Sequence, residues 1–483
     1  MRFVAMAHGM RRGRGRGQSV AEAAGSFSDG YDLYGLEGNE SFSPSSPTLK
    51  DGTSVSGDMG SYLNAYAYWR DNQENAHADT KLTNVMGNTD AYNTARKGQV
   101  VHDTVTRVFR LTGDLRDLDY LCAGFDALQA NLDAGGGQIE WDSGCTVGGL
   151  IASCCDADDP WSPYRKLNQT YDDQGTDLNR LNQIKLWSMV AEFTWALHLN
   201  QSKTSPGSVD YGTRLTYWKE RLLEFVKAWS ETSSACWATE NYKGVDGNFG
   251  IDTIPNVSYY RSRQAWGVYP FVLRDEQHAA LDTARIHRYV GLLGLHASLG
   301  IVNPADALTC SDDVVSAYRA YGLHDCSNAD HGDSLVFPAN NPLRGNNADP
   351  HRMTYAGYVG GSWLTMWLTG AWRSVLPQGD MLKIGSAISW AHDGTTGLTY
   401  GNIVRGVAQC SLDAGSGNAQ SAENNSVRGF AVLPIVFDPG GAKMSDIADN
   451  LITLSGGLST PDRATIISAL FVREALSAAG DIS

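Results

Sequence analysis

One short stretch, NADPHRMTYAGY at residues 347–358, brings together side chains suited to proton transfer. In a helix that starts just before His351, the side chains of His351, Tyr355 and Tyr358 fall at positions i, i+4 and i+7 on one face, with Arg352 one step round. Imidazole and phenol groups can donate and accept protons, and a guanidinium attracts a carboxylate. The stretch indicates proton transfer on an acidic substrate; ordinary helix packing is the alternative interpretation.

A second stretch, IPNVSYYRSRQAWGVY, carries an amide, a phenol and a guanidinium at helical spacing. After a Pro-Asn helix start, Asn256, Tyr260 and Arg263 share one face. The amide and guanidinium donate hydrogen bonds to a carboxylate, and the helix N-terminus adds positive potential. The spacing predicts a carboxylate-binding set; a capping residue, a core phenol and a solvated arginine are the alternative. Further substrate-binding candidates flank the set: Tyr259, Arg261 and Trp266.

Together the two stretches supply the groups that β-elimination on a uronic acid requires. The C5 proton is weakly acidic, so the neighbouring carboxylate must be neutralised and the enolate-like charge stabilised, as Asn256, Arg263 or His351 can do. A base removes the proton and an acid protonates the O4 leaving group, and Tyr260 and Tyr358 suit both tasks. Arginines beside a phenol favour its ionised form. The predicted reaction uses no cofactor, and we predict no metal site.

Three glycines interrupt the helix predicted to carry the first stretch: Gly357, Gly360 and Gly361. Each weakens a helix by about 1 kcal/mol relative to alanine. Such a cost is more easily explained if another group must approach the backbone closely. A weaker candidate, Asn182, lies in the first turns of another predicted helix, where it could bind sugar hydroxyls or belong to a solvated face.

The elements that would position these residues are helices, and continuous strand patterns are hard to find. Short links such as Gly113-Asp114, which ends one helix and starts the next, join consecutive helices into hairpins. The helical period predicts helices at 60–71, 94–112, 115–132, 177–199, 211–230, 257–273, 276–299, 312–321, 350–374, 379–392, 421–436, 443–455 and 461–478.

This order of hairpins predicts an all-α fold, a closed (α/α)6 or (α/α)7 toroid with inner helices facing a central cleft. We expect residues 26–483 to form this single catalytic domain. Residues 1–25, which contain the run RRGRGR, are expected to form a disordered N-terminal tail. Candidate residues at helix starts and in long loops would then line the cleft.

The hairpin order and the two residue clusters resemble polysaccharide lyases with an α/α-toroid catalytic domain, including those acting on alginate, glucuronan and glycosaminoglycans. The likeness in helix pattern covers about residues 60–480. It implies metal-independent elimination by Asn, His, Tyr and Arg side chains, with an acidic polysaccharide as substrate. Two alternatives remain open: a glycoside hydrolase on a similar toroid, and a non-catalytic sugar-binding or virion-associated protein.

Composition and charge limit the possible partners. The chain of 483 residues is 42% hydrophobic and 19% charged, which is typical of a globular protein, and it has no apolar run long enough to span a membrane. Its 53 acidic and 38 basic residues give a net charge of −15, which argues against nucleic acid or an anionic membrane as partner. We expect a monomer whose acidic substrate is held by local positive charge.

The cysteines and the N-terminus bear on the cellular compartment. Eight cysteines permit disulfides in loops, and no CxxC pair indicates zinc or redox work. The N-terminal residues lack the usual pattern of a signal peptide. The compartment is left open, with an extracellular or virion-associated location as the expectation.

Overall fold

The structure is a computed structural model. It describes residues 35–72, 81–88, 91–134, 175–222, 324–325, 335–336, 361, 363–365, 367–368, 376–390, 402–403, 412–413, 432–437 and 460–482. This part of the chain is mostly helical, as the predicted all-α class requires, and its strands are two residues long. Within these ranges, no helix combines the length and the apolar character needed to cross a membrane.

Where the structure describes them, the helices follow the predicted order. The helices predicted at 257–273, 276–299, 312–321 and 443–455 lie outside the described residues, and those predicted at 211–230, 350–374 and 421–436 are described only in part. The additional helix α2 has five residues, too few to show a helical period in the sequence. The helices are α1 Gly57–Asp71, α2 Leu82–Met86, α3 Ala91–Thr112, α4 Leu115–Ala134, α5 Gly175–Asn200, α6 211–222, α7 Gln378–Trp390, α8 Val432–Phe437 and α9 Thr460–Ala479, and residues 361, 363–365 and 367–368 are also helical. Two antiparallel pairs complete the described elements: β1 His324–Asp325 with β2 Leu335–Val336, and β3 Asn402–Ile403 with β4 Leu412–Asp413.

The predicted turn between α3 and α4 is confirmed. Gly113 has φ +68°, a left-handed conformation that favours glycine, and its N–H donates to the Phe109 carbonyl at 2.8 Å. A Cβ on Gly113 would also lie 2.7 Å from the backbone nitrogen of Asn39. Asp114 then caps α4, since its Oδ1 accepts a hydrogen bond from the Arg116 N–H at 3.1 Å.

Helix α3 occupies the centre of the described helices. It packs against α2, α4, α5 and α9, while α1 lies on α9, and α8 packs against both α7 and α9. The Thr104 and Thr465 hydroxyls, 3.0 Å apart, join α3 to α9. Polar groups on α3 are therefore enclosed by helices from both ends of the chain.

An aromatic stack joins α4, α5 and α6. The rings of Phe125 and Phe193 are stacked with centroids 4.0 Å apart, and Trp218 meets Phe125 edge-on at 5.4 Å. All three side chains are fully buried. Each such aromatic pair contributes about 0.5–1.5 kcal/mol beyond the burial of apolar area. The stack holds α4, α5 and α6 together beside α3.

Cys122 is the free cysteine of the described residues, and it is buried in α4. Burial raises the pKa of its thiol, because the charged thiolate is poorly solvated there. The loop cysteines for which the sequence permits disulfides lie outside the described residues.

The segment before α1 packs on the helix ends through polar contacts. The Asn200 side chain accepts a hydrogen bond from the Gly38 N–H at 2.6 Å and donates to the Leu36 carbonyl at 2.8 Å. Lys50 Nζ donates to the Gly35 carbonyl at 2.6 Å. Burial, followed by repulsion from Arg110, lowers the pKa of Lys50 to about 7.

Lys50 should make stability depend on pH above neutrality. Its pKa is about 7 in the folded chain and about 10.4 when unfolded, so between these values the unfolded chain binds more protons. Its contribution to the free energy of unfolding should therefore rise with pH across this window, by at most about 1.4 kcal/mol per pH unit. The Lys50→Met variant should lack this rise of the free energy of unfolding with pH. Urea unfolding at several pH values measures the slope in both proteins. Equal slopes in both proteins would contradict the prediction.

Candidate functional site

The structure does not describe either predicted catalytic stretch, so it does not show whether the two lie close together. Asn256, Tyr259, Tyr260, Arg261, Arg263 and Trp266 lie outside the described residues, as do His351, Arg352, Tyr355 and Tyr358. Asn182 lies in α5, but its side chain is outside the described part. The roles assigned to these residues stay predictions.

The expected close approach to a glycine is observed at Gly361. A Cβ at this position would lie 3.3 Å from Arg107 Nη2, closer than ordinary van der Waals contact. Gly361 is buried and helical, in the segment for which the sequence predicts the helix 350–374. The guanidinium of α3 thus lies directly against this segment.

Arg107 belongs to a buried charged cluster made of His102, Asp103, Arg107, Arg110 and Glu192. On α3, Asp103, Arg107 and Arg110 follow the i, i+4, i+7 spacing that places them on one face, and His102 precedes Asp103 directly. Glu192 comes from the middle of α5, which packs against α3. All five residues are at most 4% exposed.

The imidazole of His102 stands between the two carboxylates of the cluster. His102 Nδ1 lies 3.5 Å from Asp103 Oδ1 and 3.7 Å from Glu192 Oε2. The second nitrogen, Nε2, has no hydrogen-bond partner among the described residues. The ring meets Phe125 edge-on at 6.0 Å, so the aromatic stack borders the cluster.

Each carboxylate of the cluster also faces a guanidinium. Arg110 Nη2 donates to Glu192 Oε1, and Arg107 Nη2 lies 3.9 Å from Asp103 Oδ2. Two carboxylates and two guanidiniums have cancelling formal charges. This balance matters in a dry interior, because an uncompensated buried ion costs several kcal/mol.

The cluster combines one imidazole, two carboxylates and two guanidiniums. Such a set can hold a proton, bind a cation through its nitrogen and oxygen atoms, or place positive charge beside a neighbouring helix. The sequence interpretation missed it. The available signals were the i, i+4, i+7 spacing on α3 and one glutamate inside the apolar run LWSMVAEFTWAL.

The chain matches no protein-family model, no curated protein and no solved structure.

A second buried ionic network joins α1 to the start of α4. Arg70 Nη1 lies 2.9 Å from Asp114 Oδ2 and 2.5 Å from Asp117 Oδ1, and the Tyr66 hydroxyl donates to Asp117 Oδ1 at 2.7 Å. Burial raises the pKa of Asp117 to about 6, although Arg70 opposes the shift. For Asp114, burial is outweighed by Arg116 and Arg70, which lower the pKa of its carboxyl group. This network links two helices in the buried interior.

Proposed function

We propose that the chain is a polysaccharide lyase that cleaves a uronate-containing polymer, alginate- or glucuronan-like, by β-elimination on an (α/α)6 or (α/α)7 toroid. The helical class and the tight α3–α4 hairpin support the proposal, since toroids of this kind are built from successive helical hairpins. The two stretches that contain Tyr260 and Tyr358 supply the chemistry.

One observation carries the proposal furthest: Arg107 lies against Gly361. In the helix predicted over 350–374, Tyr358 precedes Gly361 by three residues and therefore shares its face. A guanidinium close to that face favours the ionised form of a phenol. If Tyr358 occupies that face where the face borders the cleft, Arg107 would favour its phenolate, and Tyr358 would be the base that removes the C5 proton.

The remaining roles follow from the chemistry of the reaction. Asn256 and Arg263 neutralise the uronate carboxylate, which makes the C5 proton more acidic. One of Tyr260 and Tyr358 removes that proton, and the other, or His351, protonates the O4 leaving group. The C4–O4 bond breaks as the C4–C5 double bond forms, leaving an unsaturated uronate on one product.

The expected partner is an acidic polysaccharide, bound by a monomer. Because the chain has a net charge of −15, long-range attraction does not favour a polyanion. Binding must then come from local groups, for which the candidates are Arg261, Arg352 and Tyr355, with Tyr259, Trp266 and Asn182 as sugar contacts. Aromatic faces suit the apolar face of a pyranose.

An ultraviolet screen tests the proposal. The full chain is incubated, without added metal, with alginate, glucuronan, pectate and glycosaminoglycans. We expect absorbance from an unsaturated uronate to increase with at least one of them. Reducing ends that appear without this chromophore would contradict elimination and indicate a glycoside hydrolase. Binding without either signal would indicate a sugar-binding protein.

A further inference from the structure

We propose that His102, Asp103 and Glu192 bind one divalent transition-metal ion, Zn²⁺ or Mn²⁺, which cross-links α3 to α5. The ion would have a structural role. The inference does not depend on the proposed lyase activity, because its three ligand residues lie in the packed interface between two helices and are none of the residues assigned to elimination.

The separations of the donor atoms support an ion between them. Ligand atoms of His102, Asp103 and Glu192 all lie within 4.8 Å of one another, and two of the separations are 3.5 and 3.7 Å. Direct N–H···O hydrogen bonds are about 2.7–3.2 Å long. Ligands at about 2.0–2.2 Å from a tetrahedral metal are about 3.3–3.6 Å apart. Small side-chain movements would bring the three atoms to metal-binding distances.

The hydrogen bonding of His102 is a second observation. The side chain is 0% exposed, and Nδ1, the proposed ligand atom, lies 3.5 Å from Asp103 Oδ1, which is longer than a well-formed hydrogen bond. A buried polar group without a well-formed hydrogen bond is rare and indicates a further ligand such as an ion. A metal ion on Nδ1 gives that nitrogen a strong partner.

The two arginines leave one oxygen of each carboxylate facing His102. Because they already neutralise the two carboxylates, a divalent ion adds two positive charges, which its bonds to the three ligand atoms must offset. Arg110 contacts Glu192 Oε1, whereas Oε2 faces His102. Arg107 approaches Asp103 Oδ2, whereas Oδ1 faces His102. Carboxylates that bind metals commonly accept hydrogen bonds from an outer layer of residues, which fixes their orientation. The guanidiniums would form that outer layer.

The donor set also selects the kind of ion. One imidazole nitrogen with two carboxylates suits Zn²⁺ or Mn²⁺, whereas Ca²⁺ and Mg²⁺ prefer ligand sets of oxygen alone. The apolar rings of Phe125 and Phe193 on one side would limit access of water. We therefore expect slow exchange of the bound ion.

Metal analysis and thermal unfolding of the full-length protein test the inference. After dialysis against Zn²⁺ or Mn²⁺ and then buffer, elemental analysis should find about one ion per chain. Saturating Zn²⁺ or Mn²⁺ should raise the Tm of metal-stripped protein by about 3 °C or more, and Ca²⁺ and Mg²⁺ should not. Glu192→Gln and His102→Gln should lower the affinity by about 100-fold or more. Glu474→Gln, which removes a partly exposed glutamate on α9, should bind like wild type.

The wild-type measurements remain decisive if the variants do not fold. Less than a tenth of an equivalent of bound metal, together with an unchanged Tm, would overturn the proposal. Wild-type affinity in a folded Glu192→Gln variant would also overturn it. Neither metal content nor Tm depends on polymer cleavage. A negative result in the metal experiments and a negative result in the lyase assay can therefore be distinguished.

Discussion

The Arg70→Met variant is expected to lose about 3–5 kcal/mol of its free energy of unfolding. Arg70 is buried and contacts Asp117 at 2.5 Å and Asp114 at 2.9 Å. Methionine fills much of the same space but leaves Asp117, which is 0% exposed, without its cation. Urea unfolding at pH 7 measures the loss. The size of the effect comes from stranding a buried carboxylate, since removing an intact buried pair is often nearly neutral.

A double variant separates the cost of leaving the Asp117 carboxylate unpaired from the cost of removing the ion pair as a whole. Arg70→Met combined with Asp117→Asn should recover part of the loss, because the amide carries no charge and can still accept the hydrogen bond from Tyr66. Arg214→Met is the matched control: Arg214 pairs with Asp126 at 2.6 Å near the surface, where the side chains are 24% and 40% exposed. Such a pair contributes about 0–1 kcal/mol. Equal losses in Arg70→Met and Arg214→Met would contradict this account.

Local signals predicted the described helices well. The period of α3 and α4, and the Gly113-Asp114 turn between them, are properties of contiguous residues, and both are confirmed. Helix α2 was missed because its five residues span little more than one turn. Its stability comes from packing on α3 and α4, which a local pattern does not encode.

The buried charged cluster could not be predicted in the same way. Arg110 and Glu192 are 82 residues apart, and their contact depends on how α5 packs on α3. The spacing of Asp103, Arg107 and Arg110 fits a solvated helix face equally well. Only the enclosing helices, including α9 from the C-terminal end, turn this charged face into an interior one. The two predicted catalytic stretches depend on the same kind of long-range packing, so their convergence remains a prediction.

Loss of a reacting phenol should have the largest effect on turnover. Tyr358→Phe and Tyr260→Phe are each expected to lower kcat on the polymer identified by the ultraviolet screen by about 10²–10⁴-fold. The phenyl ring preserves the shape of the side chain but cannot transfer a proton. The initial rate of unsaturated uronate formation measures kcat, and an unchanged thermal unfolding curve shows that the variant is folded.

A matched substitution shows whether the effect belongs to these two positions. Tyr68→Phe removes a phenol of α1 that is 72% exposed, so its kcat should equal that of wild type. If Tyr358 is the base, as its spacing from Gly361 suggests, Arg107→Met should move the acidic limb of the kcat profile to higher pH, because the phenolate loses a stabilising cation. Rates within twofold of wild type in both Tyr260→Phe and Tyr358→Phe would remove the phenols from the mechanism, and elimination would then need a different base.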